Sequence, residues 1–399
     1  MSWLYASLIL VAPLYVWRFE LVGLPTNFLM VYSLIILLLG TIVLYSKFGL
    51  REVWGSVSEL PKFFKIAVIL FSIASFISLF VGGFDIPKFG QWLVLYVLPM
   101  KLAAHVYIFS RKDASFKDNI VSAIYLMLFV SGVLAILQYF WLIGLPTDFW
   151  GNSNEPKRAV GFFIHPNNFA LFITPLLAFL LPNLKLRLEN LKGKLFATQL
   201  LPVIAWGLGG VALVLSLSRG GWLGLAFASG IFVLFSSSKK LLLGFLGFGV
   251  IALLIVGTVP NLRYRVLLPF YGEKSSVARI SLLDTGWKMV KDSPVLGQGI
   301  HGFNYQWDKF NTDPNLEHYN FPHNFILNAW VDTGLLGLLS WLGIVFFAIW
   351  FGFKNRSKQF AFGLALFLIA LLVHGLIDIP YFKNDLAMIF WMVVALGLI

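Results

Sequence analysis

Long apolar runs broken by short polar linkers dominate the chain from end to end. Apolar segments fall at about 3–17, 26–46, 63–82, 90–109, 119–143, 166–184, 198–217, 221–236, 241–259, 324–352, 360–378 and 385–399. Runs of this length, with so few charges inside them, are expected to cross a bilayer as α-helices. The pattern predicts an all-α polytopic integral membrane protein of about twelve transmembrane helices. The eighth and twelfth runs are the short ones. The expected layout is helices one to nine over 1–259, a polar loop over 260–323, and helices ten to twelve over 324–399. The first run ends in Arg18 and Glu20 with no small-residue cleavage site, so it is expected to stay in place as a span.

Composition agrees with that pattern. Hydrophobic residues make up 59% of the chain and charged ones 12%, about half the charged share of a soluble domain. The net charge is +12. Placing the N-terminus in the cytoplasm puts Lys47, Arg51, Lys62 and Lys65, then Arg111, Lys112 and Lys117, then Lys185, Arg187, Lys192 and Lys194 on one side, together with the later Lys239/Lys240 and Lys354/Arg356/Lys358 groups. That is the positive-inside signature, with both termini cytoplasmic. The basic charge then calls for anionic lipid headgroups of the bilayer, and no nucleic-acid partner. Cysteine is absent, which excludes disulfides and thiolate metal sites.

The loop over 260–323 is too long to lack structure of its own. Ser281–Val290 has apolar residues at helical spacing, and Ser293-Pro294-Val295-Leu296-Gly297-Gln298-Gly299 reads as the turn that ends that helix. On the predicted topology this loop is external. Arg219, in the tight break between the seventh and eighth runs, opens on the same face. Arg263, Arg265, Arg279, Lys288 and His323 belong there too. An arginine near the membrane core costs roughly 2.5–3.5 kcal/mol on insertion scales, so Arg219 is expected to meet protein, water or an anion. Ser218 and Gly220 flank it and allow close approach. Asn324 and His323 stand at the start of the tenth helix, where unpaired N–H groups favour an anion. Cations and an imidazole above an apolar bundle suit a lipid-linked phosphate, with the tail in the bilayer and the anion at its rim.

Other polar positions read less sharply. His165-Pro166-Asn167-Asn168 reads first as a chain break that caps the sixth helix, with His165 and Asn167 as secondary substrate-binding candidates. Lys101 inside the fourth run either lines a lipid-phosphate path or snorkels to the interface. Asp378, at the outer end of the eleventh run, is placed to orient an arginine or a histidine. Gly224 and Gly334 read as helix-packing positions. The external acidic residues are scattered, so no metal site is expected.

Four stretches, in order, resemble the O-antigen ligase and polymerase family of bacterial envelope glycosyltransferases. They are Gly161–Ala170, Ser216–Gly224, the stretch from Arg279 through Trp287 to Gly299, and Pro322–Leu327 followed by Gly334–Gly337. His374–Tyr381 also fits. The resemblance implies a GT-C-like fold of about twelve helices, with one large helical periplasmic loop between helices nine and ten. It implies a glycosyltransferase of the bacterial inner membrane, inverting, metal-independent and without cofactor, with its active site on the periplasmic face. The donor would be a glycan on undecaprenyl pyrophosphate. The acceptor would be lipid A-core for a ligase, or another glycan for a polymerase. The resemblance further implies that Arg219 and Arg279 hold the pyrophosphate and that His323 acts at the acceptor. A variant that transfers the glycan to a protein, a lipid-linked glycan transporter or flippase, and a structural assembly partner are the alternatives. The gathering of polar groups on one face favours surface chemistry over transport.

Overall fold

The computed structural model describes residues 1–399 except 22–23, 153–155, 191–195, 237, 268–273 and 315. Helix accounts for 78% of the structure, and the strands described are one short hairpin. The chain opens with α1 (Ser2–Val11), which tightens into a 3₁₀ turn over Ala12–Val16 at Pro13. The antiparallel pair β1 (Arg18–Leu21) and β2 (Leu24–Asn27) comes next. Asn27 then caps α2 (Phe28–Ser58), accepting from the Met30 N–H. This helix runs well past the apolar stretch, with a kink at Gly49.

The chain continues through α3 (Lys62–Ser78), α4 (Ile86–Trp92), a π-turn over Leu93–Val97, α5 (Leu98–Lys112) and α6 (Ala114–Trp141). Next come α7 (Pro166–Glu189), α8 (Phe196–Leu215), α9 (Arg219–Phe235), α10 (Lys239–Thr258) and α11 (Pro260–Leu267). The remaining elements are α12 (Lys274–Asp292), α13 (Gly302–Tyr305), α14 (Trp307–Phe310), α15 (Phe325–Lys354), α16 (Gln359–Gly375) and α17 (Asn384–Gly397).

Each of the twelve expected apolar stretches holds a helix. Among the described residues seven helical segments are long and apolar enough to cross a membrane: Phe28–Ser58, Ile86–Lys112, Ala114–Trp141, Pro166–Glu189, Thr198–Leu215, Lys239–Thr258 and Phe325–Lys354. The helices in the other five stretches run from 10 residues in α1 to 17 in α3, α9 and α16. The chain is a predominantly helical membrane protein.

Two compact units form. The first comprises Met1–Ala123, Ala278–Arg356 and Gly375–Ile399. Its helices pack as α3 on α15, α5 on α17 and α2 on α5. The segment from α12 to Tyr319 docks on the start of α15 through its own apolar core. Leu282, Met289, Val290, Phe303, Trp307 and Val331 are buried there, with Tyr319, Leu327 and Trp330 against them. Helix α12 covers the expected Ser281–Val290 helix, and the Ser293–Gly299 turn ends it.

That turn is fixed to α15 by a glycine junction. Gly334 has φ +68, a left-handed value inside a helix, and a Cβ there would lie 2.2 Å from the Val295 carbonyl oxygen. The space it leaves lets the Leu335 N–H donate to Val295 O at 3.0 Å and the Gln298 N–H donate to Val331 O at 2.6 Å. Gly334 therefore serves packing, as its sequence context suggests. Asp332, buried in α15, takes the Gly302 N–H at 3.1 Å and the Asn328 amide at 3.1 Å.

The second unit comprises Ile124–Val277 and Ser357–His374. Helix α7 is its centre, with α8 and α9 packed against it. Between α6 and α7, buried Gln138 holds the loop, accepting from Val160 N–H at 3.0 Å and Gly161 N–H at 2.8 Å and donating to Gly161 O at 2.8 Å.

Candidate functional site

In the first unit, four of the sequence candidates converge on one short segment, Leu376–Asp378. The chain enters α15 through Pro322-His323-Asn324. His323 has φ +50, a left-handed conformation uncommon for a residue with a side chain. Asn324 is extended and is the N-cap of α15, its side-chain oxygen accepting from the Ile326 N–H at 3.0 Å and the Leu327 N–H at 3.1 Å. The other half of that amide donates to Leu376 O at 3.1 Å. Arg279, on α12, donates from Nε to Ile377 O at 3.2 Å. One residue on, the Asp378 carboxylate comes within 3.3 Å of His323 Nδ1.

The electrostatics of that pair are set by burial. The Asp378 side chain is 3% exposed and that of His323 26%. One oxygen of Asp378 also accepts from the Ile379 N–H at 2.9 Å, which fixes the carboxylate's direction. His323 Nδ1 is buried and among the described residues makes no hydrogen bond of good geometry, so Asp378 approaches it without full alignment. Such bonds in unliganded sites are often long and tighten in the reacting complex. Tyr319 stands edge-on to the imidazole, its ring centroid 5.7 Å away. The strained backbone of His323 (left-handed φ costs of order 1–3 kcal/mol) is held by the cap behind it and Pro322 before it. Of the two partner types expected for Asp378, an arginine or a histidine, the structure sets the His323 imidazole within 3.3 Å of its carboxylate. Lys101 is exposed on α5 and takes no part in these bonds.

The second unit carries the other candidates. Helix α8 ends at Leu215, and the chain turns into α9 through Ser216-Leu217-Ser218. Leu217 is left-handed at φ +51, and the Ser218 N–H donates to Ser216 Oγ at 3.3 Å. Ser218 is buried and is the N-cap of α9 without a side-chain cap bond. Arg219 is the first residue of that helix and is half-buried. Gly220 and Gly221 come after it, both buried, and a Cβ on Gly221 would lie 2.8 Å from the Thr174 hydroxyl of α7. Gly224 sits under Ala370 O in the same way, at 2.8 Å. These glycines bring α9 against its neighbours.

His165 caps α7, its Nδ1 accepting from the Asn167 N–H at 3.2 Å, as the chain-break reading expects. Asn167 accepts a bond of 2.8 Å from Arg158. Arg263 is exposed on α11. The side chain of Arg265 lies outside the described residues.

Among the described residues no group of three or more His, Asp and Glu side chains gathers as a metal site would require. Sequence reasoning passed over Arg158 and Gln138. Both bond backbone groups of loops, and Arg158 also the Asn167 side chain; contacts to backbone leave no spacing in the sequence. A guanidinium seven residues ahead of His165-Pro166-Asn167 was the available signal.

Residues 203–342 match the family model described as O-antigen ligase. That third of the chain runs from α8 into α15 and includes Ser218, Arg219, Gly220, Arg263, Arg265, Arg279, His323 and Asn324. His165, Asn167, Lys101 and Asp378 lie outside it. The chain also aligns with an uncharacterized protein of Haemophilus influenzae, 26% identical over 164 residues. The alignment takes in 36% of this chain and 41% of that protein, so the chain spans less than half the length of the relative it matches.

Proposed function

We propose that the chain is a bacterial inner-membrane glycosyltransferase that moves a glycan from undecaprenyl pyrophosphate to a sugar hydroxyl, with lipid A-core as acceptor. The observation that carries this reading is the buried Asp378 carboxylate set 3.3 Å from Nδ1 of His323, beside Arg279, in a chain whose residues 203–342 match the O-antigen ligase family model.

A carboxylate at Nδ1 fixes the imidazole tautomer with its proton on that nitrogen and leaves Nε2 to accept one. In the proposed reaction the acceptor hydroxyl attacks the anomeric carbon while His323 takes its proton. The new C–O bond forms as the bond from the anomeric carbon to the phosphate oxygen breaks. A single displacement inverts the anomeric centre. The leaving pyrophosphate gathers negative charge, and Arg219 and Arg279 stabilise it. Guanidinium is suited to this, being always charged and able to bind two phosphate oxygens at once. Arg279 gives Nε to Ile377 O, and its two terminal nitrogens are assigned to phosphate. No metal is required. The external loop on this reading is 260–323, and both termini are cytoplasmic. Ser218, Gly220 and Asn324 are assigned to donor binding by the family resemblance, and His165, Asn167, Arg263, Arg265, Lys101 and Asp378 to the other substrate contacts.

The test is reconstitution of the purified protein with undecaprenyl-pyrophosphate glycan and either lipid A-core or a second donor molecule. Glycan on lipid A-core supports the reading. Lengthened donor glycan instead replaces the ligase reading with a polymerase. No product in either reaction from well-folded protein overturns the proposal, and glycan translocation under those conditions would make the chain a transporter.

A further inference from the structure

The loop ahead of α7 and the break ahead of α9 are tied together by one side chain outside the matched domain. Arg158 donates from Nε to Ser216 O at 3.0 Å and from Nη2 to Asn167 Oδ1 at 2.8 Å. Its own N–H donates to Phe149 O at 3.1 Å, and the N–H of the next residue, Ala159, donates to Leu215 O at 2.9 Å. Leu215 ends α8, and Ser216 is the residue after it. Carbonyls at a helix C-terminus lack intrahelical partners, and a cation there also opposes the negative end of the helix dipole. Arg158 and Ala159 supply both the donors and the charge.

The chain just beyond this contact makes it consequential. Ser216 is buried, Leu217 reverses direction with its left-handed φ, and Ser218 is bonded back to the Ser216 hydroxyl. Arg219 comes next, as the first residue of α9. The direction in which the chain leaves α8, and hence the origin of the Arg219 side chain, is set by a peptide that Arg158 grips. The planar fork meets Ser216 O with Nε and Asn167 Oδ1 with Nη2 in one fixed geometry, which the rotatable point charge of a lysine ammonium does not reproduce.

We propose that Arg158 is a positioning residue for Arg219. It locks the Ser216–Ser218 break and so holds the guanidinium assigned to the pyrophosphate. The catalytic half of this inference rests on the glycosyltransferase reading, and the conformational half does not.

The experiment has two arms. The chain has no cysteine, so Ser218→Cys gives a single thiol at a position 3% exposed, and N-ethylmaleimide should label it slowly. Adding Arg158→Ala should raise the labelling rate about tenfold, the scale of one lost hydrogen bond to a charged group, and Arg158→Lys should raise it as well. Both are measured on protein that elutes as the wild type does. Labelling unchanged in both variants overturns the inference. In the second arm, transfer from undecaprenyl-pyrophosphate glycan is compared for Arg158→Ala, Arg219→Ala and the double variant. Arg158→Ala should lower kcat about tenfold with the acceptor KM unchanged, and the double variant should be no slower than Arg219→Ala alone. Multiplying losses would show that Arg158 acts independently of Arg219 and would overturn the inference. A wild type without transfer removes the glycosyltransferase reading, and the labelling arm still judges the lock.

Discussion

Asp378→Asn is the substitution that separates an orienting carboxylate from a mere packing group. Asparagine keeps the size of the side chain and an oxygen for the Ile379 N–H, so the Leu376–Asp378 segment should survive. What it removes is a negative charge 3.3 Å from His323 Nδ1. At that distance, with an effective dielectric constant of about 20, Coulomb's law gives an attraction of about 5 kcal/mol for the imidazolium formed as the acceptor proton moves. The His323 side chain is 26% exposed, and solvent screening lowers the attraction to roughly 2–4 kcal/mol. Each 1.36 kcal/mol is tenfold in rate, so kcat for glycan transfer should fall roughly 30- to 900-fold. The amide also permits the wrong tautomer, which pushes in the same direction. The assay is transfer from undecaprenyl-pyrophosphate glycan in vesicles, with protein insertion and elution checked alongside. A variant within about threefold of wild type, less than 1 kcal/mol, refutes the pairing of these two residues in the reaction.

Arg219→Ala should slow transfer by about 10² or more, the loss expected for one transition-state charge donor, while the protein still inserts; wild-type turnover would end its assignment to the pyrophosphate. His323→Ala should lose about 10²–10⁴-fold, as for removal of a general base, and a retained rate would contradict that role. EDTA should leave turnover unchanged, and loss of activity restored by added metal would contradict the metal-free route. Acid should loosen the segment that docks on α15. Burial, aided by the Lys88 charge, lowers the His301 pKa from 6.5 to about 4. The unfolded state therefore binds a proton that the folded state refuses, and stability falls as pH drops from about 6.5 to about 4, by up to roughly 3 kcal/mol. Hydrogen exchange at Gly302–Phe310 should rise over that window in wild type and much less in His301→Gln; equal rises would remove His301 as the cause.

The hydrophobic pattern gives the places of the helices because each span must satisfy its backbone alone in lipid. It is a poor guide to their ends. Helix α2 continues to Ser58 through Gly49 although its last turns are polar, since tertiary contacts rather than apolarity hold them. The β1/β2 hairpin falls where the first apolar run stops and shows no alternation strong enough to announce it. In the candidate site, His323, Asn324 and Asp378 are visible in the sequence as polar residues at ends of apolar helices, where charge is otherwise costly, and Arg279 as a cation of the long polar loop. Their convergence on Leu376–Asp378 is not visible, because it depends on backbone carbonyls that every residue has. The same applies to Arg158, which reads as an ordinary loop cation until its acceptors are known. Gly334 is legible as a packing glycine, but its left-handed φ and its partner Val295 are properties of the docked turn.

In the proposed reaction guanidinium groups hold a departing lipid pyrophosphate while an imidazole takes the acceptor proton. A structure with undecaprenyl-pyrophosphate glycan bound tests this most directly. Pyrophosphate oxygens should lie within hydrogen-bond reach of Arg219 and Arg279, with the anomeric carbon of the glycan facing His323. A pyrophosphate held by other residues, with Arg219 and His323 both away from the glycan, would contradict it.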